Sequence, residues 1–468
     1  MSDTEFPPGW VAATLGEVAD WGSGGTPKSG VSRYYGGDIP WVVSGDLNDG
    51  VVKLTSSTLT LDGLQESSAK WIPEGAVMIA MYGATIGKLG IAGQALTTNQ
   101  AVASAIPKPG LVTARYLFWY LRSQRDAFRR AGKGGAQPNI SQTILKSWPI
   151  SLPPIEEQQR IADSIEGSVS RLDNALGQLT LARSRSSRLS ERILAELLSG
   201  VTLRPLSELI SSPLINGRSV PTEDGGFPVL RLTALKSNEL NLAEHKEGRW
   251  SAEDAAPFLV SRGDFLVSRG NGSKRLVGRG ALLTRRPFPV AFPDTMIRIR
   301  VNPEVILPEF IQAVWNSQII RRHIEGNART TAGIYKINQK ILGATPVPVA
   351  SIARQREILA LLDVQLPPLV RAQQMASRVQ SRAEHLRAAL LRTAFVGGLV
   401  DRDPKAQPVQ FFLEQIRAEQ ADGARRAGKG GARSGRAPLA AMAVEPPGQD
   451  VPTSLPPNEV IQQEFEIS

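Results

Sequence analysis

The chain has 468 residues, of which 41% are hydrophobic, and it carries 54 basic and 44 acidic side chains, a formal net charge of +10. This length suggests two to four folded units, and no apolar run approaches the ~20 residues that a bilayer span requires. The sequence contains no cysteine, which excludes disulfides, thiolate catalysis and sulfur-ligated metals. Because residues 1–25 also lack the pattern of a secretion signal, we expect a cytoplasmic protein with no membrane partner.

The positive charge is unevenly distributed along the chain. Residues 201–350 carry 20 basic and 13 acidic side chains, whereas residues 1–153 carry 13 and 11. An arginine-rich globular half is typical of proteins that bind a polyanion. Many basic proteins bind no such partner, so charge alone leaves a nucleic-acid ligand open.

The N-terminal part, residues 1–153, has the pattern of a mixed α/β domain. Short runs rich in β-branched, aliphatic and aromatic residues (IPWVV, AVMIAMY and AVASAIP) predict strands between turns rich in Gly, Pro, Asn and Asp. The stretch from Ala114 to Arg130 has apolar residues at helical spacing and predicts a helix.

Residues 154–200 change to a helical period and predict one long helix. Pro154 suits the start of this helix, where a missing N–H costs little, and Gly200 suits its end. Apolar or small residues recur every three or four positions and predict a packing seam that includes Leu172, Ala175, Leu179 and Ala182.

The second half of the chain repeats the first. The junction Asn139–Ala162 reappears, at an offset of 197 residues, as Lys336–Leu359. Residues 201–350 therefore predict a second α/β domain, and residues 351–400 predict a second long helix. Two matched helices in one chain favour antiparallel packing on each other; a homodimeric coiled coil or a surface helix is the alternative. Pro367-Pro368 predicts a kink or an interruption in the second helix.

Residues 401–468 have the composition of a largely disordered C-terminal tail, rich in Gly, Pro and Arg. Pro408–Gln420 predicts a short amphipathic helix within this tail.

The sequence offers no motif that carries catalysis. Two glycine-rich stretches resemble phosphate loops but place Pro27 and Gly430 where a glycine and a magnesium-binding hydroxyl are required. His245, His323 and His385 stand without metal-ligand spacing. We therefore expect no catalytic residue, metal or cofactor, although scattered carboxylates leave a cryptic nuclease as a rival hypothesis.

Polar, glycine-flanked loops recur at equivalent places in both halves. Their Arg, Lys, Asn, Gln and Ser side chains are those that phosphates and base edges require. A single loop of this kind is more often a solvated turn, but their recurrence beside two long helices favours DNA recognition.

Several stretches together resemble the specificity subunit of type I restriction-modification enzymes. They are the junction ISLPPIEEQQRIADSIE with its repeat, PPGWVAATLGEVADWGSGGTPK, IPWVVSGDL and NQAV, within residues 6–400. The resemblance implies an α+β fold, with two globular target recognition domains of mixed α/β structure joined by two long helices packed as an antiparallel coiled coil. The implied divisions are recognition domain 1 at 1–153, the first spacer helix at 154–200, recognition domain 2 at 201–350, the second spacer helix at 351–400 and the tail at 401–468.

The same resemblance implies a non-catalytic subunit of a larger complex. Each recognition domain would read one half of a bipartite site in double-stranded DNA, and the helices would set the spacing. The subunit would dock two modification (adenine methyltransferase) subunits and the restriction/translocase subunits. Loops entering the major groove would bend the duplex so that the partner can flip an adenine. A coiled-coil protein–protein adaptor without specific DNA binding is the alternative.

The resemblance and the polar loops together give a set of candidate DNA-binding residues. In the second half, SSPLINGRSVPTEDGG replaces the GSGGTPKS loop of the first, so those positions do not transfer between the halves. The candidates are Thr26, Ser44, Asp46, Tyr82, Thr85, Lys88, Asn99 and Gln100 in the first half and Arg231, Arg269, Asn271, Lys274, Arg275 and Lys336 in the second.

Overall fold

The structure of the chain is a computed structural model. It describes residues 7, 9–132, 139–236, 239–331, 333–401 and 409–418. The chain divides into two compact units, Met1–Val409 and Gln410–Ser468. No helix in the described ranges is long and apolar enough to cross a membrane.

The first head, residues 1–153, is built on two sheets. One has the strand order β2-β10-β7-β8-β4 and the other β5-β3-β9-β6, while β1 pairs with β11. The predicted strands correspond to β3, β7 and β10, and the predicted helix to α3 and α4, so these predictions are confirmed. The strands are β1 (Val11–Thr14), β2 (Ala19–Ser23), β3 (Tyr35–Val42), β4 (Gly50–Val52), β5 (Ser57–Leu59), β6 (Trp71–Ile72), β7 (Val77–Ala80), β8 (Leu89–Ala92), β9 (Leu96–Thr98), β10 (Val102–Pro107) and β11 (Pro149–Leu152). The helices are α1 (Leu15–Val18), α2 (Leu61–Gln65), α3 (Ala114–Ser123), α4 (Arg125–Ala131) and α5 (Gln142–Lys146).

The second head, residues 201–350, has one four-stranded sheet of order β13-β21-β18-β20. A three-stranded sheet, β19-β23-β22, and the pairs β12–β24, β14–β17 and β15–β16 accompany it. The strands are β12 (Thr202–Pro205), β13 (Ile215–Asn216), β14 (Thr222–Leu230), β15 (Leu235–Lys236), β16 (Glu239–Leu240), β17 (His245–Gly248), β18 (Phe265–Ser268), β19 (Gly270–Asn271), β20 (Gly280–Leu282), β21 (Met296–Ile299), β22 (Arg329–Thr331), β23 (Ile334–Lys336) and β24 (Pro346–Val349). The helices are α7 (Ala252–Ala255), α8 (Pro308–Trp315), α9 (Gln318–Asn327) and α10 (Gln339–Gly343).

The two heads share a backbone plan. The strand order β13-β21-β18-β20 repeats β2-β10-β7-β8, and Ser268 pairs with Met296 as Ala80 pairs with Val102. Every residue of β7 and of β18 is buried, because both faces of these apolar strands are covered. The duplication predicted from the sequence is thus present in three dimensions.

Two helices of 43 residues, α6 (Ile155–Leu197) and α11 (Ile352–Ala394), form a pair of rods. At ~1.5 Å per residue each rod is about 65 Å long. The Ser186 hydroxyl donates to the Leu369 carbonyl at 3.2 Å, and Arg387 forms an ion pair with Asp173. Residue numbers therefore fall along one rod as they rise along the other, and the predicted antiparallel packing is confirmed.

The seam between the rods differs from its predicted course. Ala175 and Ala182 are exposed, whereas Leu172, Leu176 and Leu179 are half-buried. The prediction is consistent with the burial of Leu172 and Leu179 but was wrong for the two alanines, because the rods approach along the leucines, whose larger side chains remove more apolar surface from water.

Pro367 and Pro368 lie inside α11, which continues through them, so the predicted interruption is absent. Each proline removes one helical N–H, leaving the carbonyls of Asp363 and Val364 without those donors. Asp363 and Val364 are exposed, and water can satisfy both carbonyls.

A buried glutamine fixes each rod to its head. Gln158 Oε1 accepts from the Thr113 N–H at 2.9 Å, and its Nε2 donates to the Leu111 carbonyl at 2.8 Å. Gln355 repeats this in the second head, accepting from the Leu307 N–H at 2.8 Å and donating to the Val305 carbonyl at 2.9 Å. Both glutamines are fully buried, which explains why this junction appears twice in the sequence.

A helix covers residues 410–418 of the second compact unit, within the stretch where a short helix is predicted. Residues 402–408 and 419–468, on which the prediction of a disordered tail falls, lie outside the described residues.

Candidate nucleic-acid interface

One edge of the first head gathers the ends of several strands. β3 and β9 run parallel, with Trp41 opposite Thr97, so the loops that follow them leave from the same edge. β10 begins at this edge, and its antiparallel partners β7 and β2 end there. We call this the first loop edge; it comprises the loops over 24–26, 43–49, 81–88 and 99–101.

All eight candidate residues of the first half lie in these loops. The strand topology therefore brings together side chains that are up to 74 positions apart in the chain. Thr26, Tyr82 and Gln100 are exposed, and Ser44, Asp46, Thr85, Lys88 and Asn99 are half-buried.

Two of the loops are joined by a side-chain hydrogen bond in which the Thr26 hydroxyl donates to Gln100 Oε1. The Gly25 N–H donates to the Thr98 carbonyl at 3.0 Å. A Cβ on Gly24 would lie 1.7 Å from the Thr98 carbonyl oxygen, so only glycine fits there. The glycines thus seat the loop, and the Thr26–Gln100 bond holds its tip at the edge.

Some of the candidates accept hydrogen bonds from nearby backbone N–H groups. The Asp46 carboxylate accepts from the N–H groups of Val43 at 2.9 Å and Ser56 at 3.2 Å. Asn99 Oδ1 accepts from the Ala101 N–H at 3.1 Å. These oxygens shape the loops, and direct contact of Asp46 and Asn99 with bases stays a prediction.

The second head has an equivalent edge, which we call the second loop edge, where β18 and β13 end and β21 begins. Arg269 and Asn271 follow β18, and Lys336 lies on β23, the hydrogen-bonded neighbour of β19. Lys274 and Arg275 are exposed in the next loop. These five candidates thus lie in or beside the strands and loops of the second loop edge.

Arg231 is the sixth candidate, and it leaves β14 at the same edge, because Val229 pairs in parallel with Ala291 as Trp41 pairs with Thr97 in the first head. It follows β14, and its backbone N–H donates to the Glu244 carbonyl at 2.8 Å. Within the described ranges no hydrogen bond or ion pair joins Arg231 to the other five candidates.

The second loop edge repeats backbone hydrogen bonds of the first. The Arg269 N–H donates to the Thr295 carbonyl at 2.8 Å, as the Met81 N–H donates to the Ala101 carbonyl at 2.9 Å. Because the two edges have the same frame, positions can be matched between the halves by structure where the sequences diverge.

This match reveals a pair of residues that sequence reasoning missed. The Ser219 hydroxyl donates to an Asp294 carboxylate oxygen, in the places that Thr26 and Gln100 occupy in the first head. Gly217 takes the role of Gly24, because a Cβ on it would lie 2.2 Å from the Phe292 and Pro293 carbonyl oxygens. The sequence marked SSPLINGRSVPTEDGG as the counterpart of the GSGGTPKS loop, but it did not indicate that Ser219 meets Asp294, which is 75 positions away.

Sequence reasoning also missed a matched pair of arginines. Each holds the hairpin loop of its edge, which lies between β7 and β8 in the first head and between β18 and β20 in the second. Arg125 on α4 donates to the Gly87 carbonyl at 2.7 Å and forms an ion pair with Asp49. Arg321 on α9 donates to the Val277 carbonyl at 2.7 Å and to the Arg275 carbonyl at 3.1 Å. Each arginine thus ties a helix that follows the sheet to this hairpin loop.

The electrostatics of the two braces differ. Burial of Asp49 opposes its ionisation, but the hydrogen bond and charge of Arg125 outweigh burial and hold the pKa of Asp49 below its ordinary value. Burial lowers the pKa of Arg321, partly offset by the hydrogen bond and charge of Glu325. An arginine stays protonated in proteins, so Arg321 acts as a fixed buried cation.

The arrangement at both edges is one of exposed hydrogen-bonding groups and cations on a rigid frame. Such groups recognise base edges and phosphates. In the part of the chain that the structure describes, no three His, Asp or Glu side chains are grouped so that they could hold a metal ion.

Comparison with known proteins gives consistent matches. The profile of the type I restriction modification DNA specificity domain matches residues 7–177. The chain is 23% identical to the EcoKI specificity subunit of Escherichia coli K12, over 93% of this chain and 99% of that protein. It is 29% identical to the MjaIX specificity subunit of Methanocaldococcus jannaschii, over 34% of this chain and 37% of that protein.

A solved structure shares the fold. It comes from work on complex assembly and conformational transition of the type I R-M system, and it is 18% identical to this chain. It covers 84% of this chain and 100% of its own length, with a TM-score of 0.62. Together with the duplicated heads and the paired rods, these matches make the chain similar, over most of its length, to the specificity subunits of type I restriction enzymes.

Proposed function

We propose that each loop edge reads one half of a bipartite sequence in double-stranded DNA, and that α6 and α11 set the separation of the two halves. The observation that carries this proposal is the repeated frame. The Thr26–Gln100 and Ser219–Asp294 bonds occupy equivalent places in two heads fixed to antiparallel rods. Two readers held at a fixed distance are what a bipartite site requires.

Recognition would take place in the major groove, where every base pair presents a distinct pattern of donors and acceptors. The exposed amide of Gln100 can bond an adenine edge, and arginines such as Arg269 can bond guanine or a phosphate. The heads would bend the duplex, so that a partner enzyme can flip an adenine out of the stack.

We assign no chemical step to this chain itself. Two modification subunits, which methylate adenine, would dock on it, and the restriction/translocase subunits would join them in the full complex. The antiparallel rods and the repeated heads offer two equivalent surfaces, as two copies of one partner need. Incubation of the purified chain with plasmid and magnesium should leave the DNA intact, and cleavage would favour a hidden nuclease instead.

The decisive experiment is a head replacement. Substituting residues 15–140 by the same region of another specificity subunit should change one half of the methylated sequence and leave the other unchanged. Mapping of N6-methyladenine across the genome of a strain with the modification subunits measures this. The reciprocal replacement of residues 206–337 is the matched control and should change only the other half. A change of both halves of the methylated sequence in either chimera would contradict the proposal that each head reads one half.

Salt dependence separates this function from that of a protein–protein adaptor. If six or more phosphates are neutralised, the logarithm of the affinity for random duplex DNA should fall with the logarithm of salt concentration at a slope of about −5. A flat response would favour the adaptor.

A further inference from the structure

The described residues of the second head include a three-stranded sheet of β19, β23 and β22. In the first head, Tyr82 and Asn139 form an isolated bridge beside the first loop edge. We call the three-stranded sheet the basic sheet. It begins directly after β18 and therefore stands at the second loop edge.

The basic sheet places two like charges directly opposite each other. Arg329 is the register partner of Lys336, and Gly270 lies across from Lys336 on the other side. Directly opposed residues project from the same face of a sheet, with Cβ atoms about 5 Å apart. Like charges at such a pair destabilise the sheet, so the protein carries an unfavourable local contact at this position.

Nothing in the described structure neutralises the pair. Arg329 and Lys336 are both exposed, and no carboxylate among the described residues lies within ion-pair distance of either. Gly270 leaves room beside them, since a Cβ there would come within 3.3 Å of the Lys336 side chain. The face is thus open to an external anion.

The neighbouring loop adds more charge in a fixed position. Lys274 and Arg275 are exposed, and the buried Arg321 holds this loop by donating to the carbonyls of Val277 at 2.7 Å and Arg275 at 3.1 Å. Two pairs of cations therefore stand at one edge on a rigid support. The first loop edge has one candidate cation, Lys88.

We propose that the basic sheet is a phosphate-binding surface, on which Arg329 and Lys336 grip the backbone of the duplex independently of its sequence. This inference rests on the proposed DNA recognition and refines it. The second head thereby supplies part of the affinity that does not depend on sequence. Arg329, which sequence reasoning did not select, is a principal contact.

The test is a double substitution in the full-length chain, Arg329→Ala with Lys336→Ala. Binding to a random-sequence duplex would be followed by fluorescence anisotropy between about 50 and 200 mM salt, a range in which phosphate contacts dominate the response. Each neutralised phosphate contributes about 0.9 to the slope, so the slope should become shallower by about 2. The methylated sequence in cells should stay the same.

Arg285→Ala with Arg286→Ala is the matched control. These exposed arginines follow β20, whose end lies opposite the start of β18 and so at the far edge of the sheet. The control removes the same charge from the same head and should leave the slope unchanged. Because the sheet variant loses a repulsive pair, it should melt no lower than the native chain.

The outcomes separate the inference from the proposed function. If the native chain shows a steep slope and both double variants reduce that slope by the same amount, the basic sheet is not the phosphate contact, and the proposed DNA recognition stands. A change in the methylated sequence would also contradict the inference, since it would make Arg329 or Lys336 a base reader. A flat slope for the native chain would overturn both proposals.

Discussion

The two heads of this chain use one backbone frame for edges of different chemistry. In the first, Thr26 and Gln100 form a neutral pair, whereas in the second Ser219 bonds to the carboxylate of Asp294. The hairpin braces also differ, since Arg125 pairs with Asp49 from another loop of the edge, whereas Arg321 is buried and pairs with Glu325 of its own helix. The backbone frame is therefore kept while the side chains at the loop edges differ. Four sets of substitutions test whether the frame and these side chains act independently.

The largest effect is expected at the buried glutamines, because they belong to the frame. Replacing Gln158 or Gln355 by alanine leaves a buried N–H and carbonyls without partners, and each such group costs about 1–3 kcal/mol. We expect each change to lower the free energy of unfolding by about 3 kcal/mol, equally in the two heads. Chemical denaturation measures this, with the exposed neighbours Gln159→Ala and Arg356→Ala as controls. Unequal losses would show that the two junctions are not equivalent.

The arginine braces come next. Arg125→Met and Arg321→Met keep much of the side-chain bulk but leave loop carbonyls unbonded, and we expect a loss of about 2 kcal/mol for each. Hydrogen exchange should rise in the hairpin loop of the altered head alone. A lysine at either position should not restore protection, because one ammonium group cannot reproduce the planar fork. Rescue by lysine would mean that charge alone matters.

A smaller and more local effect is expected from the loop-joining pairs. Thr26→Val and Ser219→Ala each remove one exposed hydrogen bond, worth about 1 kcal/mol or ~5-fold in affinity. Each change should weaken binding to duplexes that carry only the half-site of its own head. Loss of affinity for both half-sites after either substitution would show that the heads are coupled.

The smallest effect concerns acid stability in the first head. Because the pKa of Asp49 is below its ordinary value, its ion pair stabilises the fold at neutral pH, and this contribution is lost as the pH falls from the ordinary pKa of the carboxyl through the lowered one. Asp49→Asn should lower the free energy of unfolding at pH 7 by about 1 kcal/mol. It should also make the free energy of unfolding fall less as the pH is lowered. Denaturation at several pH values measures it, with the exposed Asp38→Asn as the control. An unchanged pH profile would exclude the pair as a contributor.

The elements with regular patterns could be predicted from the sequence. The rods follow from helical spacing and from prolines and glycines at their ends, and buried strands such as β7 follow from apolar runs between turns. The duplication followed from the repeated junction, whose buried Gln158 and Gln355 explain the constraint. These features depend on neighbours in the chain.

Features that depend on contacts distant in the chain were missed or misplaced. Ser219 and Asp294 meet because β13 and β21 lie side by side, which no local pattern indicates. Arg321 looks like any exposed helical arginine until its helix packs on the hairpin loop. Ala175 fits the heptad spacing equally well, but tertiary packing brings Leu176 into the contact instead.

The prolines within α11 give the paired rods a mechanical asymmetry. Where the Asp363 and Val364 carbonyls lack helical donors, the helix has fewer bonds to resist curvature, and this point lies close to the junction with the second head. Under load from a bent duplex, strain should concentrate in that turn while α6 remains stiff. The second head would then pivot more readily than the first, so the pair of rods would be flexible at one end and rigid at the other.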